Sequence, residues 1–431
     1  MNIRPALAKA TSAAPGSVIL LNDYAYAQGG GSQVALQQAR YLRDAGCDVT
    51  LFTAMARQDS PGVAGWLADQ PIPTWNSGQW DIAGDPIRFR AASQGLWNFE
   101  AARQLAFILS EKNPRETVVL VHGWTKALSA SVVHCAIRCG FTVLLVAHDY
   151  FAACPNGAYY DFPRQAGCHR RPMSLDCITA NCDRESFAQK QWRVLRQGIQ
   201  KWAAGLPGKL GGVICVSEFQ QRLLGNWLPE SLPCHVLPNL ILPPPENLHA
   251  DVTSTEVFGF CGRLSPEKGI SCLVNAVEQS GVEMLLIGDG PLAPEVHIKL
   301  PAAVISGWLD QPSVWRKLAG IRSLIFPSVC VETFGLSVFE AATLGIPAIV
   351  TAGTAPSDFV RDGLNGLLFP AGDADELAKK LVALRENPSL AKNLGAQAQR
   401  DVQAHLRSPQ SYTGELLDIL RCAQPSFQMI G

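Results

Sequence analysis

The sequence predicts an α/β protein with two doubly wound parallel sheets. Short apolar runs of strand length alternate with longer runs of helical periodicity along the 431 residues. The alternation occurs on both sides of a proline-rich linker at 242–245. Several apolar runs end in glycine-rich turns, where ligands bind in sheets of this kind. With 47% hydrophobic and 17% charged residues, the chain can bury two cores of ordinary size.

The first half begins with a βαβ unit. The apolar run 17–22 predicts a strand, and the glycine-rich turn 29–31 leads from it into a helix that ends near Gly46. The run 48–53 then predicts the second strand of the unit. Further strands of this half are predicted at 117–121, 142–147, 212–216 and 235–237.

The second half repeats the pattern. Apolar strands are predicted at 257–261, 284–287 and 323–326, and each runs into a turn that contains glycine or proline. A helix is predicted from 337 to 344, because Gly345 and Pro347 stop the apolar periodicity there.

Two glutamates, Glu332 and Glu340, stand eight positions apart around the turn Phe334-Gly335-Leu336. Glu332 is predicted in a strand-to-helix loop, and Glu340 about one turn into the following helix. Both therefore lie at the carboxyl edge of the sheet, where the free N–H groups of a helix's first turn can hold a phosphate. The alternative is an ordinary surface acid followed by a helix-stabilising one.

Two cations, Arg263 and Lys268, follow the strand 257–261. Such side chains can neutralise a diphosphate in place of a metal. Gly262 beside them and Gly288 after the next strand would let the backbone approach a ligand closely. The alternative interpretation is a pair of solvated loop cations.

In this order and spacing, the motifs resemble the donor-binding half of the retaining glycosyltransferases of family 4, which have the GT-B fold. The resemblance covers most of residues 255–404. It implies two doubly wound, Rossmann-like domains that face each other across a cleft. It also implies a nucleotide-diphosphate sugar as donor and no cofactor required for catalysis, since the cations replace the metal.

The resemblance assigns a role to individual residues. Arg263 and Lys268 match the pair that binds the donor diphosphate. Glu340 matches the acid that hydrogen-bonds the ribose, Glu332 the acid beside the transferred sugar, and His122 a cleft histidine near that sugar. The predicted catalytic residues are Glu332, His122, Arg263 and Lys268. The predicted donor-binding residues are Gly29, Gly30, Gly31, Gly262, Arg263, Lys268, Gly288, Phe334, Gly335, Leu336 and Glu340.

The glycine-rich turn 29–31 also raises the alternative of a dehydrogenase. A nicotinamide-binding fingerprint needs a third glycine, but Ser32, Gln33 and Val34 follow the turn. The second strand also lacks an acid at its end. In family 4 a Gly-Gly turn at this place faces the donor diphosphate, and the remaining alternative is a loop that merely needs flexibility.

Polar residues that end strands of the first half are candidates for acceptor binding. His122 follows the strand 117–121, and His148 with Asp149 follows the strand 142–147. Asp23, just after the first strand, is a third candidate. The alternative for either histidine is a structural hydrogen bond.

Four cysteines, Cys154, Cys168, Cys177 and Cys182, crowd into a polar insertion at 150–186 that is predicted to lack strands. Their spacing fits no zinc ribbon or finger, so three interpretations stay open: a structural metal site, unlinked thiols, or disulfides. Disulfides are disfavoured in the cytosol.

The predicted division of the chain has four parts. A flexible tail (1–16) precedes an acceptor-binding domain (17–245), a donor-binding domain (246–404) and a C-terminal helix (405–431) that returns to the first domain. The first residues lack the long apolar core of a signal peptide, and no run is long enough to span a membrane. We therefore expect a cytoplasmic protein that can touch the inner face of the membrane.

The resemblance implies a retaining, metal-independent glycosyltransferase of bacterial polysaccharide or glycoconjugate biosynthesis, with a glycan, lipid-linked or small-molecule acceptor. A net charge of −1 gives no electrostatic case for a nucleic acid partner. Alternatives on the same architecture are a nucleotide-sugar epimerase, a sugar phosphorylase, and a non-catalytic GT-B partner protein.

Overall fold

The structure, a computed structural model, describes residues 16–55 and 72–424. Nearly all of the predicted tail 1–16, and the last residues of the predicted C-terminal helix, lie outside these ranges. In the described part of the chain, strands and helices alternate and build two large parallel sheets. No helix in these two ranges is both long enough and apolar enough to cross a bilayer.

The first half contains nine strands and seven α-helices among the described residues. The strands are β1 (Ser17–Tyr24), β2 (Asp48–Met55), β3 (Thr74–Asn76), β4 (Thr117–Val121), β5 (Thr142–Ala147), β6 (Tyr160–Asp161), β7 (Ala166–Gly167), β8 (Gly212–Cys215) and β9 (Cys234–Val236). The helices are α1 (Gly30–Asp44), α2 (Arg88–Leu96), α3 (Phe99–Ser110), α4 (Ala130–Arg138), α5 (Leu175–Thr179), α6 (Phe187–Trp202) and α7 (Glu218–Gly225).

Seven of these strands form one parallel sheet in the order β3-β2-β1-β4-β5-β8-β9. Its central strands contain continuous apolar runs because both faces of the sheet are buried. In β1, for example, Val18 to Leu21 are all 0% exposed. The strand order reverses between β1 and β4.

The second half forms a six-stranded parallel sheet in which the order again reverses. The strands are β10 (Val257–Cys261), β11 (Glu283–Ile287), β12 (Val304–Ile305), β13 (Ser323–Phe326), β14 (Ala348–Thr351) and β15 (Gly366–Phe369). The helices are α8 (Ile270–Ser280), α9 (Ala293–Lys299), α10 (Gln311–Leu318), α11 (Leu336–Thr343), α12 (Ala374–Glu386), α13 (Pro388–Val402) and α14 (Pro409–Ala423). The sheet order is β12-β11-β10-β13-β14-β15, so the reversal falls between β10 and β13.

Ligands of doubly wound sheets bind outside the carboxyl ends of the strands where the order reverses. In the first sheet these ends carry Asp23, near the end of β1, and His122, which follows β4. In the second sheet they carry the loop 262–269 after β10 and the loop 327–335 after β13. The topology therefore brings the sequence-predicted residues to the binding edge of each sheet.

The last helix, α14, packs on the first half of the chain. The amide of Gln38 on α1 donates a hydrogen bond to the Tyr412 hydroxyl at 2.6 Å. The rings of Tyr41 and Tyr412 meet edge to face, with centroids 6.5 Å apart. The chain thus passes from the first half to the second after β9 and returns after α13.

The cysteine-rich insertion is not strandless as predicted, since β6 and β7 form a short antiparallel hairpin and α5 follows. The insertion also reaches the second half. The Tyr150 hydroxyl donates to the Glu332 carbonyl at 3.4 Å, and Arg184 lies 3.7 Å from the Glu267 carboxylate. These contacts fix one wall of the space between the sheets.

Candidate active site

The loops after β10 and β13 meet in an ion pair between Lys268 and Glu332. The Lys268 ammonium nitrogen lies 2.5 Å from Oε1 of Glu332, which also accepts a hydrogen bond from the Ser328 hydroxyl at 2.7 Å. The close approach depends on Gly269, whose φ is +72° and where a Cβ atom would come within 1.9 Å of the Pro327 carbonyl oxygen. Two residues 64 positions apart in the sequence thus form one charged pair at the sheet edge.

Both partners of this pair stay ionised at neutral pH. Burial alone would lower the pKa of Lys268, but the Glu332 charge more than offsets this effect and holds the pKa above its usual value. Burial would raise the pKa of Glu332, and the Lys268 charge together with the hydrogen bonds brings it below its usual value. The pair therefore offers an ammonium with unused N–H donors to an incoming anion.

Arg263 is exposed, and its guanidinium has no hydrogen bond or ion pair with any residue in the described ranges. It stands in the same loop as Lys268 but does not contact the Lys268–Glu332 pair. Unlike Lys268, it is therefore available for a ligand without giving up a protein partner. A guanidinium can bind two oxygens of a diphosphate at once.

At Gly262 and Gly288 the backbones of the loops after β10 and β11 pack closely against each other. A Cβ atom at Gly288, where φ is +139°, would lie 2.0 Å from the Gly262 carbonyl oxygen. The neighbouring amide of Leu264 donates to the Asp289 carbonyl at 3.0 Å. Gly288 is thus required by the protein's own backbone, in addition to its predicted role at the donor.

We expect Gly288→Ala to destabilise the protein by about 2 kcal/mol or more, because the methyl group has no room and the backbone conformation is strained. A thermal unfolding scan should show a melting temperature several degrees lower. Gly30→Ala is the control, since a Cβ atom there meets nothing within 4 Å. Equal melting temperatures for the two variants would contradict this account of the loop.

Glu340 lies in α11 and is 8% exposed. Its Oε1 accepts a hydrogen bond from the Gln311 amide at 2.8 Å, and Oε1 of Gln311 accepts one from the Gln33 amide at 3.2 Å. Gln33 follows the glycine-rich turn, so this chain of bonds joins the two halves. Burial raises the pKa of Glu340 to about 7, although the bond from Gln311 lowers it in part. No sequence pattern pointed to either glutamine.

The turn Phe334-Gly335-Leu336 presents backbone rather than side chains. The Phe334 ring is buried and stacks on Phe339 at 4.7 Å between centroids. Gly335 takes a left-handed φ of 84° and precedes α11, which begins at Leu336. The first amides of α11 thus follow the loop that carries Glu332.

The glycine-rich turn of the first half lies against the histidines. Gly29 has a φ of 134° and precedes α1, which begins at Gly30. A Cβ atom at Gly31 would come within 3.1 Å of the His148 side chain. The amino end of α1 is therefore close to the carboxyl end of β5.

His122 and His148 form a buried hydrogen-bonded pair. Nδ1 of His122 lies 2.9 Å from Nε2 of His148, and the rings are nearly parallel. Burial lowers the pKa of His122, with a smaller contribution from His148, and burial lowers the pKa of His148 to about 4. Both rings are neutral at physiological pH. Nε2 of His122 is buried and has no hydrogen-bond partner in the described part of the chain, so it can serve a bound hydroxyl.

The two predicted aspartates, Asp23 and Asp149, accept hydrogen bonds from backbone amides of the protein. The Asp23 carboxylate accepts hydrogen bonds from the backbone amides of Lys126, Ala127 and Leu128 at 2.9–3.0 Å. Asp149 accepts one from the Phe151 amide at 2.9 Å, and burial raises its pKa to about 6 despite that bond. Both shape the loops around the histidine pair, while their contact with an acceptor stays a prediction.

The four cysteines of the insertion are free thiols. Across residues 16–55 and 72–424, no group of three or more histidine, cysteine or acidic residues could hold a metal ion. The structural metal predicted at Cys154, Cys168, Cys177 and Cys182 therefore finds no support. Two cations stand beside the thiols instead, with Lys190 Nζ 3.7 Å from the Cys177 sulfur and Arg170 Nη1 3.8 Å from the Cys168 sulfur. A metal ion would be repelled by both.

The two halves also meet through Thr333, which neighbours Glu332. Its hydroxyl donates to the His148 carbonyl at 3.3 Å, and its own carbonyl accepts from the Ser217 hydroxyl at 2.6 Å. The buried histidines of the first sheet and the charged pair of the second therefore face one cleft. Two doubly wound halves with such a cleft define the class of GT-B proteins.

Comparison with known families gives the particular family. The model for "Glycosyltransferase Family 4" matches residues 28–241, and the model for "Glycosyl transferases group 1" matches residues 255–387. The chain belongs to glycosyltransferase family 4, which confirms the resemblance drawn from the sequence motifs.

Curated relatives match about a third of the chain. A GDP-mannose-dependent alpha-mannosyltransferase of Corynebacterium glutamicum is 32% identical over 121 residues, which is 28% of this chain and 29% of that protein. The O-antigen chain mannosyltransferase C of Escherichia coli is 28% identical over 150 residues, which is 33% of this chain and 40% of that protein. The matched part spans less than half the length of these relatives.

Solved structures match over nearly the whole chain. Anabaena HepE in complex with UDP and glucose has a TM-score of 0.67 at 16% identity and covers 94% of this chain and 100% of its own. Sucrose-phosphate synthase from Thermosynechococcus elongatus has a TM-score of 0.64 at 17% identity, covering 94% and 98%. At these identities the likeness establishes the GT-B fold.

Proposed function

We propose that the protein is a retaining, metal-independent glycosyltransferase that moves a sugar from a nucleotide-diphosphate sugar to an acceptor in bacterial glycoconjugate assembly. The observation that carries this proposal is the Lys268–Glu332 pair, which stands next to the loop bonded to His148. In such a transfer the Lys268 ammonium would meet the departing phosphate, and the adjacent Glu332 carboxylate would meet the developing sugar cation.

Departure of the nucleoside diphosphate is the charged step of such a transfer. The bond from the anomeric carbon to the phosphate oxygen breaks, so negative charge grows on the diphosphate and positive charge grows on the sugar. Arg263 and Lys268 would stabilise the diphosphate, and the first amides of α11 would add hydrogen bonds. Arg263 and Lys268 can supply the positive charge that a metal would otherwise provide.

Glu332 would hold the sugar and offset its positive charge without attacking it. Its carboxylate is anchored by Lys268 and Ser328, which fixes its orientation. The acceptor hydroxyl would attack from the face that the phosphate leaves, and its proton would pass to the leaving phosphate. This course retains the anomeric configuration. The neutral His122 would orient a sugar hydroxyl through its free Nε2.

A panel of nucleotide sugars tests the proposal. GDP-mannose and UDP-glucose head the panel, since the relatives and the solved structures name mannosyl donors and UDP. We expect thermal stabilisation by one donor, and release of nucleoside diphosphate only when an acceptor is present, with and without EDTA. Isomerised donor without transfer would instead indicate an epimerase, phosphate-dependent cleavage a phosphorylase, and no turnover a non-catalytic partner.

The affinity for the donor should rise with pH because the ribose hydroxyls need the ionised form of Glu340. Its pKa of about 7 means that the carboxyl is mostly protonated at pH 6 and mostly ionised at pH 8. We expect the dissociation constant of the intact nucleotide sugar to fall by about tenfold over that range. Calorimetric titrations at several pH values measure it.

Glu340→Gln provides the control for this pH dependence. The amide cannot ionise, so the affinity should be weaker at pH 8 and nearly flat with pH. A variant that keeps the slope of the wild-type protein would refute the ribose role of Glu340.

A further inference from the structure

Three side chains from the two halves form a hydrogen-bonded relay on the donor side of the cleft. Gln33 of α1 donates to Gln311 of α10 at 3.2 Å, and Gln311 donates to Glu340 of α11 at 2.8 Å. Glu340 is buried, and the two glutamines are half-buried. We call these three residues the amide relay. It connects the first half of the chain to the acid that faces the ribose in the proposed function.

An ionised Glu340 fixes the direction of the amide relay. The oxygens of a carboxylate only accept hydrogen bonds, so Gln311 must turn its amide nitrogen toward Glu340. The carbonyl oxygen of the same amide then faces Gln33, which donates to it. Gln33 therefore stabilises the amide orientation of Gln311 that the carboxylate requires.

The backbone holds both glutamines at the start of a helix. Gln311 is the first residue of α10, and the Asp310 carboxylate caps this helix by accepting from the Ser313 amide at 3.0 Å. Gln33 lies in the first turn of α1, where its backbone amide donates to the Gly29 carbonyl at 3.0 Å. Two helix starts, one in each half, thus bring the two glutamines together.

The Glu340 carboxylate depends on Gln311 for its orientation. Within residues 16–55 and 72–424 no cation pairs with this carboxylate, and its Oε2 accepts no hydrogen bond. The Cys261 thiol at the end of β10 lies close enough to respond to the Glu340 charge. Burial, with a smaller contribution from Glu340, raises the pKa of this thiol to about 12, so it is neutral between pH 6 and 8. Gln311 thus holds Oε1 and leaves Oε2 for a ligand.

We propose that Gln311 is a positioning residue for the donor, which orients the Glu340 carboxylate toward the ribose, and that Gln33 of the other half orients Gln311. The inference rests on the proposed function, because it extends the ribose role of Glu340. The ribose hydroxyls donate to the free Oε2 and to the remaining lone pair of Oε1. The first half of the chain thus contributes to nucleotide recognition through a residue that acts on Gln311 and not on the nucleotide.

Gln311→Met tests the first step, since methionine keeps the length of the side chain but cannot donate a hydrogen bond. We expect the dissociation constant of the intact nucleotide sugar, measured by calorimetry with GDP-mannose and with UDP-glucose, to rise about tenfold at pH 7. The midpoint of its pH dependence should move up by about one pH unit, because the ionised form of Glu340 loses the bond that favours it.

Gln279→Met is the matched control. This glutamine also donates to a carboxylate, that of Asp375 at 2.9 Å, but it lies at the exposed end of α8, away from the cleft. The dissociation constant and the midpoint of its pH dependence should both equal those of the wild-type protein.

Gln33→Met tests the second step. The dissociation constant should rise about threefold at pH 8, less than in Gln311→Met, because Glu340 keeps its own partner. The double variant should bind the donor as weakly as Gln311→Met alone, since Gln33 has no route to Glu340 once the Gln311 amide is gone. An unmoved midpoint in Gln311→Met, the same shift in Gln279→Met, or losses that multiply in the double variant would each overturn the proposal.

Melting scans without ligand keep this proposal distinct from the proposed function. Burial holds the pKa of Glu340 above its usual value, so its ionised form costs stability, and the loss of Gln311 adds to that cost only where the carboxyl is ionised. Gln311→Met should therefore lower the melting temperature more at pH 8 than at pH 6. Equal losses at the two pH values would overturn the positioning role. Failure of every donor to bind the wild-type protein would instead refute the proposed function, whatever the melting scans show.

Discussion

Replacing Lys268 by alanine should slow sugar transfer by about 10²- to 10³-fold, the range seen when one donor to a developing anion is removed from an active site. Lys268 is the cation that the fold holds beside Glu332, and its remaining N–H donors are those offered to the diphosphate. Because the interaction grows as the phosphate departs, the loss should appear mainly in kcat. Release of nucleoside diphosphate under saturating donor and acceptor measures it.

The variant leaves the Glu332 carboxylate half-enclosed without a cation, so we also expect a stability loss of about 1–3 kcal/mol. A melting scan must therefore show that the variant is folded at the assay temperature. Lys299→Ala is the matched control, since this surface lysine of the same half pairs, within residues 16–55 and 72–424, with Glu295 alone, across one helix turn. Near-normal turnover by a folded Lys268→Ala protein would refute the proposed diphosphate contact.

Glu332→Gln should produce a loss of similar size, about 10²- to 10³-fold in kcat. The amide keeps the shape of the side chain and its bond to Ser328, but it cannot offset positive charge on the sugar. It also removes the partner that orients Lys268. The rates of the two single variants and of the double variant form a cycle that measures the coupling between these residues.

The cycle has a definite expectation. Since each residue positions the other, the double variant should be about as slow as the slower single variant. Glu295→Gln, on the surface of α9, is the control and should leave the rate unchanged. Independent, multiplicative losses would mean that Lys268 and Glu332 do not act as a pair.

The doubly wound sheets could be predicted because strands covered on both faces are apolar throughout, as Val18 to Leu21 are. The sheet edges that carry Glu332, Lys268 and His122 could also be predicted, since the parallel strands of each sheet share one carboxyl edge. The Lys268–Glu332 pair itself could not, because the sequence does not show which loop lies beside which. That contact depends on β13 pairing with β10.

Residues whose role depends only on contacts in the folded protein could not be predicted from the sequence. Gln33 and Gln311 form no motif. The fold of the second half brings Gln311 to Glu340, and the contact between the halves brings Gln33 to Gln311. The metal site suggested by four crowded cysteines finds no support, for a different reason. Their spacing could not reveal that Lys190 and Arg170 stand against the sulfur atoms.

The return of α14 to the first half has a mechanical consequence. The chain crosses between the halves after β9 and again after α13, and the first crossing, residues 243–252, lines one cavity together with Lys392, Ala396 and Gln399 of α13. Two connecting segments that cross between the halves near the same place act as a double hinge. They permit rotation about the line that joins them and resist sliding. We therefore expect donor binding and release of the nucleoside diphosphate to use the same hinge rotation. This rotation would move the Glu332 loop and the histidine pair apart as rigid bodies.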